Sequence, residues 1–303
     1  MYYLVTIPII IFILCLILLL LFGNNWCENI FEKFSNIEIF SNQTKHPNTS
    51  QHFIEYIKSI HSDLYTIKLP NYKNNFFTEY SNSIVALPDA YKIMLQKYIE
   101  QIDIIVKDYP IFNKYKWDFM ASINNLEHNM PFTLDKKIII PIIKLKELYS
   151  SYQKGIIQKE YINTLLHEKL HVIQRHNQDK FDNFYKKKYH NFIDSKIDEN
   201  IPESLLKIYM NNPDSNNSIW IYKMDGKKYI PLLVTNNNTF TSIGFNKELL
   251  SDKIDLRILQ SRLGYSSSIS FYHPNEIFAC DVTEQLILGN LEYEYSRFLS
   301  NLF

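Results

Sequence analysis

Two histidines four residues apart in an apolar stretch tie the local fold of this chain to a chemistry. His167-Glu168-Lys169-Leu170-His171 reads H-E-x-x-H, with Tyr161, Ile162, Leu165 and Leu166 before it and Val172 and Ile173 after it. Both imidazoles reach one metal ion only if the segment is helical, because residues four apart then share a face. Zinc accepts neutral imidazole nitrogens, and three protein ligands with an open fourth position make a hydrolytic site. Glu168 follows His167 by about 100° round such a helix, where a carboxylate can take a proton from an activated water. The competing reading of the same five residues is two core histidines beside a surface glutamate. The rest of the chain has to discriminate.

The N-terminus is a second constraint. Leu4 to Phe22 is a run of 19 uncharged, overwhelmingly apolar residues, and the first charge in the chain is Glu28. At about 1.5 Å per residue a helix of that length spans roughly 28 Å, close to the hydrocarbon thickness of a bilayer. Pro8 sits near the start, where a membrane helix tolerates it. A cleaved signal peptide is the alternative. The missing Lys or Arg before the run, its length and the lack of a small-x-small site favour a retained anchor. The expectation is a single-pass membrane protein whose residues 4–22 contact the lipid bilayer. Its orientation stays open, since Lys33 is the sole nearby positive charge.

Composition removes other classes. Basic and acidic residues balance at 32 each, and Lys186-Lys187-Lys188 is the one basic cluster, so no nucleic-acid partner is expected. The 30 Asn against 6 Gly reflect an AT-rich coding bias, and the runs Asn211-Asn212, Asn216-Asn217 and Asn236 to Asn238 read as solvated loops. Cys15, Cys27 and Cys280 form no C-x-x-C or ribbon spacing, which argues against a cysteine zinc site or a disulfide framework. Cys280 is expected to pack beneath the metal helix. With no G-x-S-x-G, P-loop or G-x-G-x-x-G, serine-hydrolase and nucleotide-binding readings lose their usual signals.

The pattern along the chain predicts an α+β fold. Residues 1–23 are the expected anchor, 24–73 a membrane-proximal segment with a turn-rich linker at Ser41 to Ser50, and 74–303 the catalytic domain. Helical spacing marks Gln51 to Leu64, Asp89 to Val106, Ile142 to Tyr152, Gln158 to Arg175, Phe181 to Phe192, Pro202 to Met210, Leu249 to Leu263 and Pro274 to Leu288. Lys136 to Pro141 is the strongest strand in its half, preceded by an extended Met130 to Leu134. Ser218 to Val234 reads as two strands around an Asp225-Gly226 turn. Trp117 to Glu127 fits either a helix or the start of a strand.

Two histidines hold zinc weakly, so a third donor is required. His176 lies nine residues after His167 with no intervening Gly, and on a continuing helix it faces away, so it is not expected to be a ligand. Tyr272-His273-Pro274-Asn275-Glu276 is the better candidate. Pro274 fits the first position of a new helix, which places Glu276 in its first turn, and Ala279 is small enough to let two helices approach. Glu276 is thus the expected third ligand and His273 its rival. Asp281 or Glu284 is a candidate to orient a ligand imidazole. Tyr272 is either an oxyanion donor or a packing tyrosine. Gln174 and His128 are each either site-lining or merely exposed.

H-E-x-x-H followed by a downstream N-E-x-x-A helix resembles the gluzincin branch of the zincin metallopeptidases. The resemblance covers His167 to His171 and Asn275 to Asp281, with looser support from the Ile138 to Pro141 strand. It implies a zincin-like core, a small mixed sheet with active-site helices, behind the membrane helix. It further implies zinc on His167, His171 and Glu276, Glu168 as general base, and a peptide or protein substrate added as a strand to the sheet edge near Met130 to Pro141. An acid follows Glu276 at five positions, Asp281, where thermolysin-like members have it at four, and the two motifs stand about a hundred residues apart. The H-E-K-L-H-V-x-Q-R stretch, Asn212-Pro213-Asp214 and the segment from His273 to Ile277 are also similar to uncharacterised metallopeptidase-like proteins of large DNA viruses. That likeness implies a host or virion membrane. An inactive zincin-fold structural or interaction protein is the alternative.

Overall fold

The computed structural model describes residues 50–302 apart from 198–200, 216–217, 237–238 and 267–268. The expected anchor at Leu4 to Phe22, and with it Cys15 and Cys27, lies outside the described residues. Among the described residues no helix is long and apolar enough to cross a membrane.

Ile138-Ile139-Ile140 is the centre around which the first sheet forms. Strands β1 (Ile84–Ala86), β2 (Phe119–Ser122), β3 (Phe132–Leu134) and β4 (Lys137–Pro141) lie in the order β1-β2-β4-β3. β4 runs parallel to β2 and antiparallel to β3, so the sheet is mixed. A strand covered on both faces carries an unbroken apolar run rather than an alternating one. Ile138 and Ile140 belong to one apolar cluster, while Ile139 belongs to a second with Met120, Phe132 and Leu134, as the two-residue period requires.

Helices α1 (Gln51–Ser59), α2 (Asp89–Ile105), α3 (Ile142–Gln153), α4 (Lys159–His176), α5 (Gln178–Lys188), α6 (Pro274–Leu288) and α7 (Tyr293–Ser300) divide between those clusters. Ser50 caps α1 by accepting from the Phe53 N–H, and Phe53, Tyr56 and Ile57 cover the Ile139 face. Packing therefore continues across residue 73, the boundary between the expected membrane-proximal segment and the catalytic domain. α4 and α6 join the opposite cluster through Leu165, Leu166, Leu170 and Ile173 and through Ile277, Phe278, Ala279 and Val282. Ala279 is fully buried beside α4, in keeping with the close helix approach expected of it. Gly289, at φ +69°, closes α6 in the left-handed conformation that a residue without Cβ adopts at low cost.

A second sheet is an antiparallel meander in chain order: β5 (Ile193–Ile197), β6 (Ile219–Met224), β7 (Lys227–Asn236), β8 (Thr239–Asn246) and β9 (Lys253–Asp255). Met224 pairs with Lys227 across Asp225 and Gly226, both at positive φ, which is the two-residue turn expected from the sequence. Two helical expectations shrink here. Residues 253–255 are the strand β9, and the helix begins only at Leu256. Pro202 to Met210 holds a single helical turn, Glu203–Leu206, before Tyr209 bridges to Val234. The pairing partner wins over local periodicity in both places.

Candidate metal centre

α4 is enclosed on nearly all sides, so its polar residues are buried along with its apolar ones. Glu168, Lys169, His171 and Gln174 all lie inside. Lys169 donates to the Tyr115 carbonyl and sits 4.5 Å over the Trp117 ring, and burial lowers its pKa to about 8. The helix is thereby locked against rotation, with the two motif histidines turned toward α6.

His167, His171 and Glu276 converge. The two Nε2 atoms are 2.8 Å apart, Glu276 Oε2 is 3.4 Å from His167 Nε2, and Glu276 Oε1 is 3.5 Å from His171 Nε2. Among the described residues this is the group able to hold a metal ion. Donor atoms about 2.0–2.1 Å from a tetrahedral zinc stand about 3.3 Å from one another, and the three residues offer one donor atom each within 4.8 Å of one another. Two imidazoles and one carboxylate are also a donor set that zinc accepts.

Neighbouring groups determine which nitrogen of His171 faces the cluster. Gln174 Nε2 donates to the Asn275 carbonyl at 3.0 Å and to Tyr185 Oη at 3.0 Å, so its Oε1 is the atom 2.7 Å from His171 Nδ1. Nδ1 therefore carries the hydrogen and Nε2 keeps its lone pair for a cation. His167 Nδ1 instead meets Cys280 Sγ at 3.8 Å. Burial by itself lowers the His167 pKa, but Cys280 and Glu276 more than reverse it and hold it well above the usual histidine value. Burial alone would raise the Glu276 pKa, yet His171 and His167 hold it well below the carboxylate range. The carboxylate thus keeps its charged form between the two imidazoles.

Glu168 is buried, its Oε2 without a hydrogen-bond partner among the described residues, and burial, reinforced by Asp214, raises its pKa to about 8. Of the three residues His167 is the most open to solvent, its side chain 20 % exposed against 1 % for His171 and 7 % for Glu276, so access to the cluster is from the His167 side.

Other expected residues fall elsewhere. His273 caps α6: its Nδ1 accepts from the Asn275 N–H at 3.1 Å, so its Nε2 hydrogen goes to Ser218 Oγ at 3.0 Å, and neither nitrogen is left for a metal. Asp281 accepts from Tyr295 Oη at 2.6 Å and from Gln285, turned toward α7, while Glu284 is exposed. Cys280, four residues after Glu276, stands where Asp281 was expected to act. The signal for it was that spacing, hidden because a thiol was not counted as a partner for imidazole. His176 stacks on Tyr115 with ring centroids 5.0 Å apart, away from the ligands as the helix geometry required. His128 packs edge-on against Phe240. Tyr272 Oη donates to Glu276 Oε1 at 3.2 Å and accepts from Asn212 Nδ2 at 2.5 Å, so its hydrogen is committed to a carboxylate rather than held for an oxyanion.

The edge of the first sheet is also engaged. The Thr133 N–H donates to Asp214 Oδ1 at 3.0 Å, and the Thr133 carbonyl accepts from Arg175 Nη2 at 3.3 Å. These are the outward groups that an added peptide strand would use at the middle of β3, and here Asp214 and Arg175 of the chain itself hold them. Comparison with known proteins found no matching protein-family model, no matching curated protein and no matching solved structure.

Proposed function

We propose that this chain is a zinc-dependent hydrolase of the gluzincin type, acting on peptide bonds from a membrane surface to which Leu4 to Phe22 anchors it. The observation that carries the reading is the convergence of His167 Nε2, His171 Nε2 and a Glu276 oxygen beside a buried glutamate with an unpartnered oxygen. The mixed sheet packed on α4, with α6 delivering the third ligand, supports a zincin-like core. When bound, zinc would supply Lewis acidity to a water and to the scissile carbonyl. Glu168 takes the proton of the attacking water and returns it to the leaving amine. Gln174 fixes the His171 ring, and Cys280 meets the far nitrogen of His167. Cleavage of a generic peptide library by the purified full chain, abolished by a chelator and by Glu168→Gln, is the expected result. No cleavage by zinc-loaded protein would reject the peptidase reading.

One observation favours a second reading. Because Asp214 and Arg175 already satisfy Thr133, a substrate cannot pair with the middle of β3. A compact non-peptide amide, approaching from the His167 side and using the same residues, would need no such edge.

A further inference from the structure

Asn212-Pro213-Asp214 is a sequence feature that neither the ligand set nor the general base accounts for. Its first residue reaches the third ligand. Asn212 Oδ1 accepts from the Asp214 N–H at 3.0 Å, a local side-chain turn. That bond settles the orientation of the amide, because the oxygen is already used by a backbone donor. Nδ2 is therefore the atom 2.9 Å from Glu276 Oε1 and 2.5 Å from Tyr272 Oη. Tyr272 Oη, having accepted that hydrogen, gives its own to the same Oε1 at 3.2 Å. One carboxylate oxygen, the Oε1 that lies 3.5 Å from His171 Nε2, thus receives two hydrogen bonds, while Oε2, 3.4 Å from His167 Nε2, receives none from either residue.

We infer that Asn212 and Tyr272 are positioning residues that hold Glu276 by Oε1 and so fix its carboxylate against His167 and His171 as a metal ligand. This rests on the metal reading above and deepens it. A carboxylate left free to turn would leave the two imidazoles without a fixed third donor, and partners of ligating carboxylates are worth about 10–100-fold in metal affinity.

The test measures zinc affinity of the full chain by competition with a chromophoric chelator, together with the visible absorption of the cobalt-loaded protein. Wild type, Asn212→Ala and Tyr272→Phe are compared. Tyr272→Phe keeps the ring and loses only the hydroxyl, so it remains informative if Asn212→Ala disturbs the loop. The expected result is an affinity loss of about 10–100-fold in each variant. The cobalt bands also shift as the loosened carboxylate changes its hold on the metal, while the thermal midpoint of metal-free Tyr272→Phe stays near wild type. Affinities within twofold of wild type with unchanged cobalt bands would overturn the inference while leaving the metal site standing. Failure of the wild type to bind either metal would overturn the reading beneath it.

Discussion

At position 168 the chain keeps a carboxylate buried with one oxygen unpartnered among the described residues, which costs about 1–3 kcal/mol and more when the group is charged. A residue with a purely structural task would shed that cost. Glu168→Gln should therefore leave metal content unchanged and stability equal or higher, while cleavage falls by at least about 100-fold. Parallel metal analysis, denaturation and peptide cleavage on the one variant check all three. His273 shows the same logic in reverse. Its two nitrogens are both satisfied, one by the Asn275 N–H and one by Ser218, and burial lowers its pKa to about 3. A neutral, fully bonded imidazole is a cap, so Glu276 rather than His273 is the residue proposed as third ligand.

Among the elements, the segment 211–215 has the longest reach. Asn212 touches Glu276, Asp214 binds Thr133, and the Asp214 carbonyl accepts from Asn275 of α6. The segment is held from the other side by Lys68, whose ammonium donates to the Asn211 carbonyl at 2.6 Å, to Tyr56 at 2.9 Å and to Glu127 at 2.7 Å. Glu127 also accepts from Tyr56 and Tyr80, and the turn from Glu127 to Asn129 is left-handed at every residue. Side chains with a Cβ take that conformation at a cost of about 1–2 kcal/mol each, which the buried network offsets. Lys68→Met strands the Glu127 charge and should destabilise the fold by about 3–5 kcal/mol, read as a lower denaturant midpoint. An unchanged midpoint would show that the network does not brace the loop. Little of this was legible in the sequence. α4, α6, β4 and the β6–β7 hairpin were, because long apolar periods, a Pro at a helix start and an Asp-Gly turn are local signals. β1 and β9 are three residues each and too short to show a period. The loop was read as solvated because Asn is usually solvated, and only contacts more than sixty residues away, to Glu276 and Asn275, make it part of the site.

Across the molecule, His52 of α1 and Arg175 of α4 connect the face beneath Ile139 to the helix that carries His167 and His171. Arg175 Nε donates to His52 Nε2 at 3.1 Å, and burial, then Arg175 and His176, lower the His52 pKa from 6.5 to about 3. Between those values the unfolded chain takes up a proton that the folded chain refuses. Stability from this source is complete above pH 6.5 and is lost as pH falls toward 3. In excess chelator, the denaturant midpoint of wild type should fall between pH 7 and pH 5 by more than that of His52→Gln. Equal falls would remove His52 as the cause. Metal content bears on the molecule as a whole, because a ligand that binds only the folded chain stabilises it by mass action. Metal analysis of the full-length chain, reconstituted with zinc and dialysed against metal-free buffer, is the most direct test of the His167, His171 and Glu276 site. About one zinc per chain in wild type, with none retained by His171→Ala or Glu276→Ala, is the predicted result. A folded wild-type chain that retains no zinc would contradict it.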